Sequence, residues 1–209
     1  MLRYDFKIPK YTEEKFFFSI REKKDVILLL IETIKFIKAS PYISEDTDAK
    51  ITITISRMSR IFYILNNKYF SIIFPFRIET DEKEYRFFLK DGTELTYEFL
   101  SKITELIKNE AFFKTFEDFI EEIFDKNNIL PNLEEKIWDF IKEICFLEYG
   151  YLRYDYDLEH ENGNFHPLNH LDINYSNRTT FKLGLSKKIT TQEFIEILDN
   201  TLERKFITI

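Results

Sequence analysis

The hydrophobic period of this chain runs from 3.6 residues to two, back to 3.6, then to two and finally to 3.6. That order constrains the fold more than any single motif does. Over residues 23–38 the apolar Val26, Leu30, Ile34 and Ile37 recur on one side of a helix. Ser40-Pro41 stops it, because a residue before proline is pushed out of the α region. An acidic loop at 44–48 follows. Ile51, Ile53 and Ile55 then alternate with Thr52, Thr54 and Ser56, which reads as a half-buried strand. The β-branched and aromatic runs 61–65 and 69–76, separated by Asn66-Asn67-Lys68, read as a hairpin whose second arm is buried on both faces. Residues 85–89 and 93–97 flank Asp91-Gly92, two residues that tolerate positive φ, and read as a second hairpin.

Three helices are expected next. Phe99, Ile103, Leu106 and Ile107 form one apolar stripe, and Phe116, Phe119, Ile120, Ile123 and Phe124 a second. The third runs over 133–144, with Asn132 as N-cap and Glu135 answering it. Strict alternation returns at 146–158, 170–176 and 180–186, with Asn177-Arg178 turning the last two strands into a hairpin. A closing helix opens at Thr190 with a capping box to Glu193 and buries Phe194, Ile197, Leu198 and Leu202. The fold class is therefore α+β: an antiparallel sheet with an N-terminal helix, a central group of three helices, and a C-terminal antiparallel strand meander closed by a helix. No Pro/Gly/Ser-rich linker interrupts it, so residues 1–209 read as one domain, with a sheet lobe over 1–97 and helices plus the C-terminal sheet over 98–209.

Composition narrows the function classes. With 44% hydrophobic residues and only four Gly in 209, disorder and fibrous structure are excluded. A net charge of −7 repels phosphate backbones at long range, so there is no basic patch and any RNA contact has to be local. One cysteine, Cys145, cannot pair within the chain, and its apolar helical neighbours make it a core residue rather than a nucleophile. No apolar run approaches the roughly 20 residues of a membrane span, and the N-terminus lacks the apolar stretch of a signal peptide. The expectation is a reduced, cytoplasmic protein.

All three histidines, His160, His166 and His170, fall within eleven residues. On the strand before them the even positions Leu152, Tyr154, Tyr156 and Leu158 are apolar, while Arg153, Asp155 and Asp157 take the other face. Leu171, Ile173 and Tyr175 repeat the apolar face on the next strand, leaving His170, Asp172 and Asn174 opposite. The third strand puts Phe181, Leu183 and Leu185 inward and Lys182 on the polar side. If the three strands are neighbours, Arg153, Asp155, Asp157, His170, Asp172 and Lys182 share one sheet surface. Such a face is often merely solvated, and two residues such as Arg153 and Asp155 then form an ordinary surface ion pair.

Two chemical readings stand beside that one. His166 and His170 with Asp172 or Asp155 have the donor types for a divalent metal such as Zn, Mn or Fe, although H-x-x-x-H suits a helix and Pro167 opposes one there. Alternatively, the histidines act as general acid and base while Arg153 and Lys182 hold a phosphate, which requires no cofactor. No phosphate-binding glycine loop, nucleophile elbow or paired C-x-x-C is present.

Tyr151-Leu152-Arg153-Tyr154-Asp155, then His166-Pro167-x-x-His170-x-Asp172 and the segment 189–198, resemble the C-terminal part of a group of uncharacterised bacterial proteins. Arg153-Tyr154-Asp155 and the histidine segment are also similar to TumE-type toxins of toxin–antitoxin modules. The resemblance covers about 149–198. It implies a bacterial defence setting and a toxin-like activity such as RNA cleavage carried by Arg153, Asp155, His166 and His170, with an antitoxin or defence-complex subunit as protein partner. Asp172 departs from the toxin pattern. A non-enzymatic acidic adaptor that binds a basic protein partner is the alternative, and the letters leave enzyme and adaptor both open.

Overall fold

The computed structural model describes residues 2–39, 47–81, 84–108, 131–173 and 181–203. The expected helix at 116–124, the Asn177-Arg178 turn and positions 174–176 lie outside the described residues, as do the side chains of Asn132 and Cys145. The expected α+β architecture is present. Its strands are β1 (Leu2–Lys7), β2 (Lys50–Ile55), β3 (Arg60–Leu65), β4 (Lys68–Ile73), β5 (Arg77–Thr80), β6 (Tyr85–Phe88), β7 (Leu152–Tyr156), β8 (Asn169–Ile173) and β9 (Phe181–Gly184). The helices are α1 (Lys23–Ala39), α2 (Tyr97–Lys108), α3 (Pro131–Cys145) and α4 (Thr191–Leu198).

The early strands and the C-terminal meander are one antiparallel sheet, in the order β1-β2-β3-β4-β7-β8-β9. The join is β4 to β7, where Lys68 faces Asp155 and Phe70 faces Arg153. By compactness the chain forms two units, one of residues 1–22, 42–74 and 148–209, the other of residues 23–41 and 75–147. The whole seven-stranded sheet lies in the first.

Partners in register point to the same side of a sheet, so the pairing fixes both faces. One face carries the buried Phe6, Ile51, Ile53, Ile61, Tyr63, Phe70 and Ile72 on β1–β4, then Arg153, Asp155, His170, Asp172 and Lys182 on β7–β9. On the other face Phe62, Ile64, Tyr69, Tyr154 and Leu171 pack against Phe194 and Ile195 of α4. Phe194 meets the rings of Phe62 and Tyr69 at 6.1 and 6.0 Å between centroids. The sheet thus exchanges its apolar side partway across. That same second face buries Thr52, Thr54, Arg60 and Ser71 on β2–β4, where Arg60 Nε donates to Ser71 Oγ at 3.0 Å. Strand β2 is consequently buried on both faces rather than half-buried.

The other unit holds α1, α2, α3 and the β5-β6 hairpin. Phe140 of α3 stacks on Phe76 and meets Phe99 of α2 edge-on, with centroids 6.5 and 5.8 Å apart. Tyr97 Oη donates to the Lys35 carbonyl of α1 at 3.2 Å.

Several local expectations need correction. Strand β6 pairs with β5 along its length, and the expected hairpin to 93–97 is shorter, with Leu89 N–H donating to Thr93 O at 2.9 Å and Leu95 N–H to Phe87 O at 2.8 Å around a bridge from Phe88 to Glu94 before α2 begins. The turn is nevertheless there, since Gly92 takes a φ of +94°. The alternation from 146 onward becomes strand only at Leu152, because Gly150 adopts a φ of +54° and breaks the extended run. Phe181, expected inside, is exposed on the terminal strand of the sheet, and Leu202 lies beyond α4 and is also exposed. Strand β1 was not expected at all. Its Leu-Arg-Tyr-Asp-Phe echoes Leu-Arg-Tyr-Asp-Tyr of β7, and both pair an arginine with the aspartate two residues on, but on opposite faces of the sheet.

Candidate functional site

The polar face of β7, β8 and β9 is one surface, as the alternation requires. Arg153 lies opposite Asp172, which lies opposite Lys182, and Asp155 lies opposite His170, which lies opposite Gly184. It is not a merely solvated face. Asp172 and His170 are fully buried, and Asp155 and Arg153 are mostly so. Removing such charges from water costs more than their mutual attraction returns unless hydrogen bonds offset it, and here Asp172 supplies two of them. Asp172 Oδ2 accepts from Arg153 Nη2, and its Oδ1 accepts from Lys182 Nζ at 2.9 Å. Arg153 Nε stands 2.7 Å from Asp155 Oδ2. The two aspartates hold the guanidinium charged against the desolvation that opposes it.

His170 is held at both nitrogens. Nδ1 is 2.7 Å from the Pro167 carbonyl and Nε2 is 2.9 Å from Lys182 Nζ. A carbonyl only accepts, so Nδ1 donates to Pro167, and Nε2 faces Lys182 and the cluster. Pro167 packs where β9 has Gly184, which keeps this carbonyl in place.

From His170 the imidazoles lead outward in a row. The His166 ring lies 4.9 Å from that of His170, and the His160 ring 6.1 Å from that of His166. Side-chain exposure rises from 0% at His170 through 23% at His166 to 64% at His160. The loop that carries them closes on itself, with Asp157 N–H donating to Leu168 O at 2.9 Å and a bridge between Asn162 and His166. Asp157 sits between the two outer rings, 3.1 Å from His160 Nδ1 and 3.6 Å from His166 Nε2. Desolvation raises the Asp157 carboxyl, but the His160 N–H and ring and the charge on both imidazoles outweigh it and hold it below its ordinary value.

Of the residues singled out in the sequence, Arg153, Asp155, His166 and His170 come together, with Asp172 and Lys182 inside the same cluster. Among the described residues, the three donors that converge closely enough for a metal are Asp155, His170 and Asp172, within 4.8 Å of one another; His166 turns to Asp157 instead.

Two participants were missed. Lys68 enters from β4, directly opposite Asp155, and its ammonium has no ion pair or hydrogen bond among the described residues. Burial, then Arg153, pushes its pKa down, against Asp155, Asp172 and Asp157. Lys68 follows a turn in the sequence, and nothing local shows that β4 meets β7. Tyr151 shares a hydrogen bond with Arg153, and burial pushes its phenol up to about 12.

A family model matches residues 34–201, a span that takes in every residue of the cluster. The chain belongs to the DUF2290 family of uncharacterised conserved proteins. No curated protein and no solved structure matches it significantly. Among the described residues no helix is long and apolar enough to cross a membrane.

Proposed function

We propose that the protein cleaves phosphodiester bonds in RNA by metal-independent acid–base catalysis, with Arg153, Asp155, His166 and His170 at the site. The row of three imidazoles, running from solvent to a buried ion cluster, carries this reading. Two of them share Asp157, which holds both rings at one place, and a pair of imidazoles is the set that removes a proton from a ribose hydroxyl and returns one to the leaving oxygen. His166 and His160 transfer protons. His170, fixed at both nitrogens, positions His166, and Asp155 positions Arg153. Behind them Lys68, Arg153 and Lys182 stand among Asp155, Asp172 and Asp157, cations that can take a phosphate in a chain of net charge −7.

The setting in this reading is a cytoplasmic, toxin-like protein of bacterial defence with a cognate protein partner. It rests on the likeness of the Arg153-Tyr154-Asp155 and His166-Pro167-x-x-His170 segments to TumE-type toxins.

The test is cleavage of a labelled RNA in chelator by purified protein, beside growth and RNA integrity in cells expressing it. The wild type is expected to cut with a bell-shaped pH profile, and His166→Ala to cut about 10²–10⁴ times more slowly. Intact RNA with the wild type sinks the reading. The adaptor alternative is favoured by Phe165, 90% exposed at the tip of the histidine loop, and predicts co-purification with a neighbouring gene product that Phe165→Asp abolishes.

A further inference from the structure

The nitrogen of Lys182 occupies a peculiar position. It lies 2.9 Å from His170 Nε2 and 2.9 Å from Asp172 Oδ1, and those two atoms belong to the triad of donors completed by Asp155. His170 Nε2 stands 3.8 Å from Asp155 Oδ2 and 3.9 Å from Asp172 Oδ1. Donors sharing one divalent ion at about 2.1 Å stand roughly 3.0–3.5 Å apart, so the two edges from His170 need to contract by a few tenths of an ångström, while the triad as a whole, spanning up to 4.8 Å, draws in by about an ångström as the two carboxylates turn toward the ion. The lone pair of His170 is already turned inward because Nδ1–H is spent on the Pro167 carbonyl, the outer-shell contact that orients imidazole ligands toward metals. Arg153 takes the other oxygen of Asp172, leaving Oδ1 to the cation.

We propose that Asp155, His170 and Asp172 form a divalent-cation site for transition ions such as Mn²⁺ or Zn²⁺, and that the Lys182 ammonium is its built-in competitor. The exchange is a displacement. The ion takes the place of Nζ beside His170 Nε2 and Asp172 Oδ1, and Lys182 swings outward still carrying its protons. Lys182 is partly exposed and unbranched, so it leaves without disturbing β9, whereas the three donors are fixed on paired strands. An ion with two charges gains more from two carboxylates than an ammonium does, but it must also lose tightly held water and meet Arg153 at close range. Binding in the wild type is therefore weak, and deleting the ammonium strengthens it.

This inference does not rest on the RNA-cleavage reading. A chain that takes up the ion and leaves RNA intact keeps the first and loses the second.

The experiment is equilibrium dialysis of Mn²⁺ and, separately, Zn²⁺ against the wild type, Lys182→Ala and Lys182→Met. Lys182→Ala/Asp172→Asn and Lys182→Ala/His160→Ala/His166→Ala serve as controls. The Lys182 variants should bind one ion per chain at least about tenfold more tightly than the wild type. Asp172→Asn should remove that binding, and the outer-histidine substitutions should leave it. Equal affinity in the wild type and both Lys182 variants overturns the proposal, as does binding that follows His160 and His166 instead of Asp172. Should neither Lys182 variant fold, paramagnetic broadening by Mn²⁺ in the wild type decides: selective loss of the His170 ring signals supports the site, and their survival at millimolar Mn²⁺ refutes it.

Discussion

At the scale of single residues, the cluster depends on a side chain that is missing. Gly184 needs no unusual φ; what it supplies is space, because a Cβ there would stand 2.9 Å from Pro167 Cγ and 3.2 Å from its Cβ. A proline ring cannot fold away, so Gly184→Ala should move Pro167 and draw its carbonyl off His170 Nδ1. A stability loss of about 1–3 kcal/mol is expected, read from the urea midpoint, together with a mixed tautomer in the His170 ring ¹⁵N shifts. An unchanged tautomer would show that the loop yields without passing the movement on. The residues of this site were partly legible. Alternation placed Arg153, Asp155, His170, Asp172 and Lys182 on one side of their strands, because a strand turns successive side chains by half a revolution whatever surrounds it. Lys68 was not legible, since its membership depends on which strand lies beside β4.

At the scale of elements, α4 shows local chemistry that survives into the fold. Thr190 Oγ1 accepts from the Glu193 N–H at 3.2 Å, and Glu193 Oε2 accepts from the Thr190 N–H at 2.8 Å, the reciprocal cap read from the sequence. Thr190→Ala should cost about 1 kcal/mol in chemical denaturation. The cap also leaves a mark in acid. The Thr190 N–H, then Lys187 and the Thr190 hydroxyl, hold the Glu193 carboxyl at about 2, against 4.5 unperturbed. Because the folded value is the lower one, the cap's contribution is complete above pH 4.5 and disappears as pH falls through about 2. Urea midpoints measured down that range should fall less steeply for Glu193→Gln than for the wild type; parallel curves would mean the carboxylate is not held. Strand β5 was missed although its partner is local: 85–88 was correctly placed and meets 93–95 across the Asp91-Gly92 turn, but it also pairs backward to β5, a four-residue strand too short to show a period.

At the scale of the molecule, the sheet is closed by residues far apart in the chain. Without β7 and α4, the rings of Tyr69, Phe62 and Phe70 lose Tyr154, Phe194 and Tyr151 respectively, at centroid distances of 5.3, 6.1 and 5.9 Å. A chain ending at residue 147 should therefore leave β3 and β4 unprotected. In hydrogen exchange the amides of Tyr63 and Phe70 are expected to be slow in the full chain and fast in the fragment. Equal protection would mean that β1–β4 stand alone.

The sequence by itself determined the period of the helices and of most strands, the capping box of the last helix, the turn at Asp91-Gly92, and which side chains share a strand face, since these follow from backbone geometry over a few residues. Only the tertiary structure decided that the early strands and the late meander form a single sheet, that its apolar side changes partway across, and that Lys68 joins the buried ions. Pairing between distant strands is a competition among many similar edges. It is settled by the burial the assembled sheet achieves, a quantity no short stretch of chain contains.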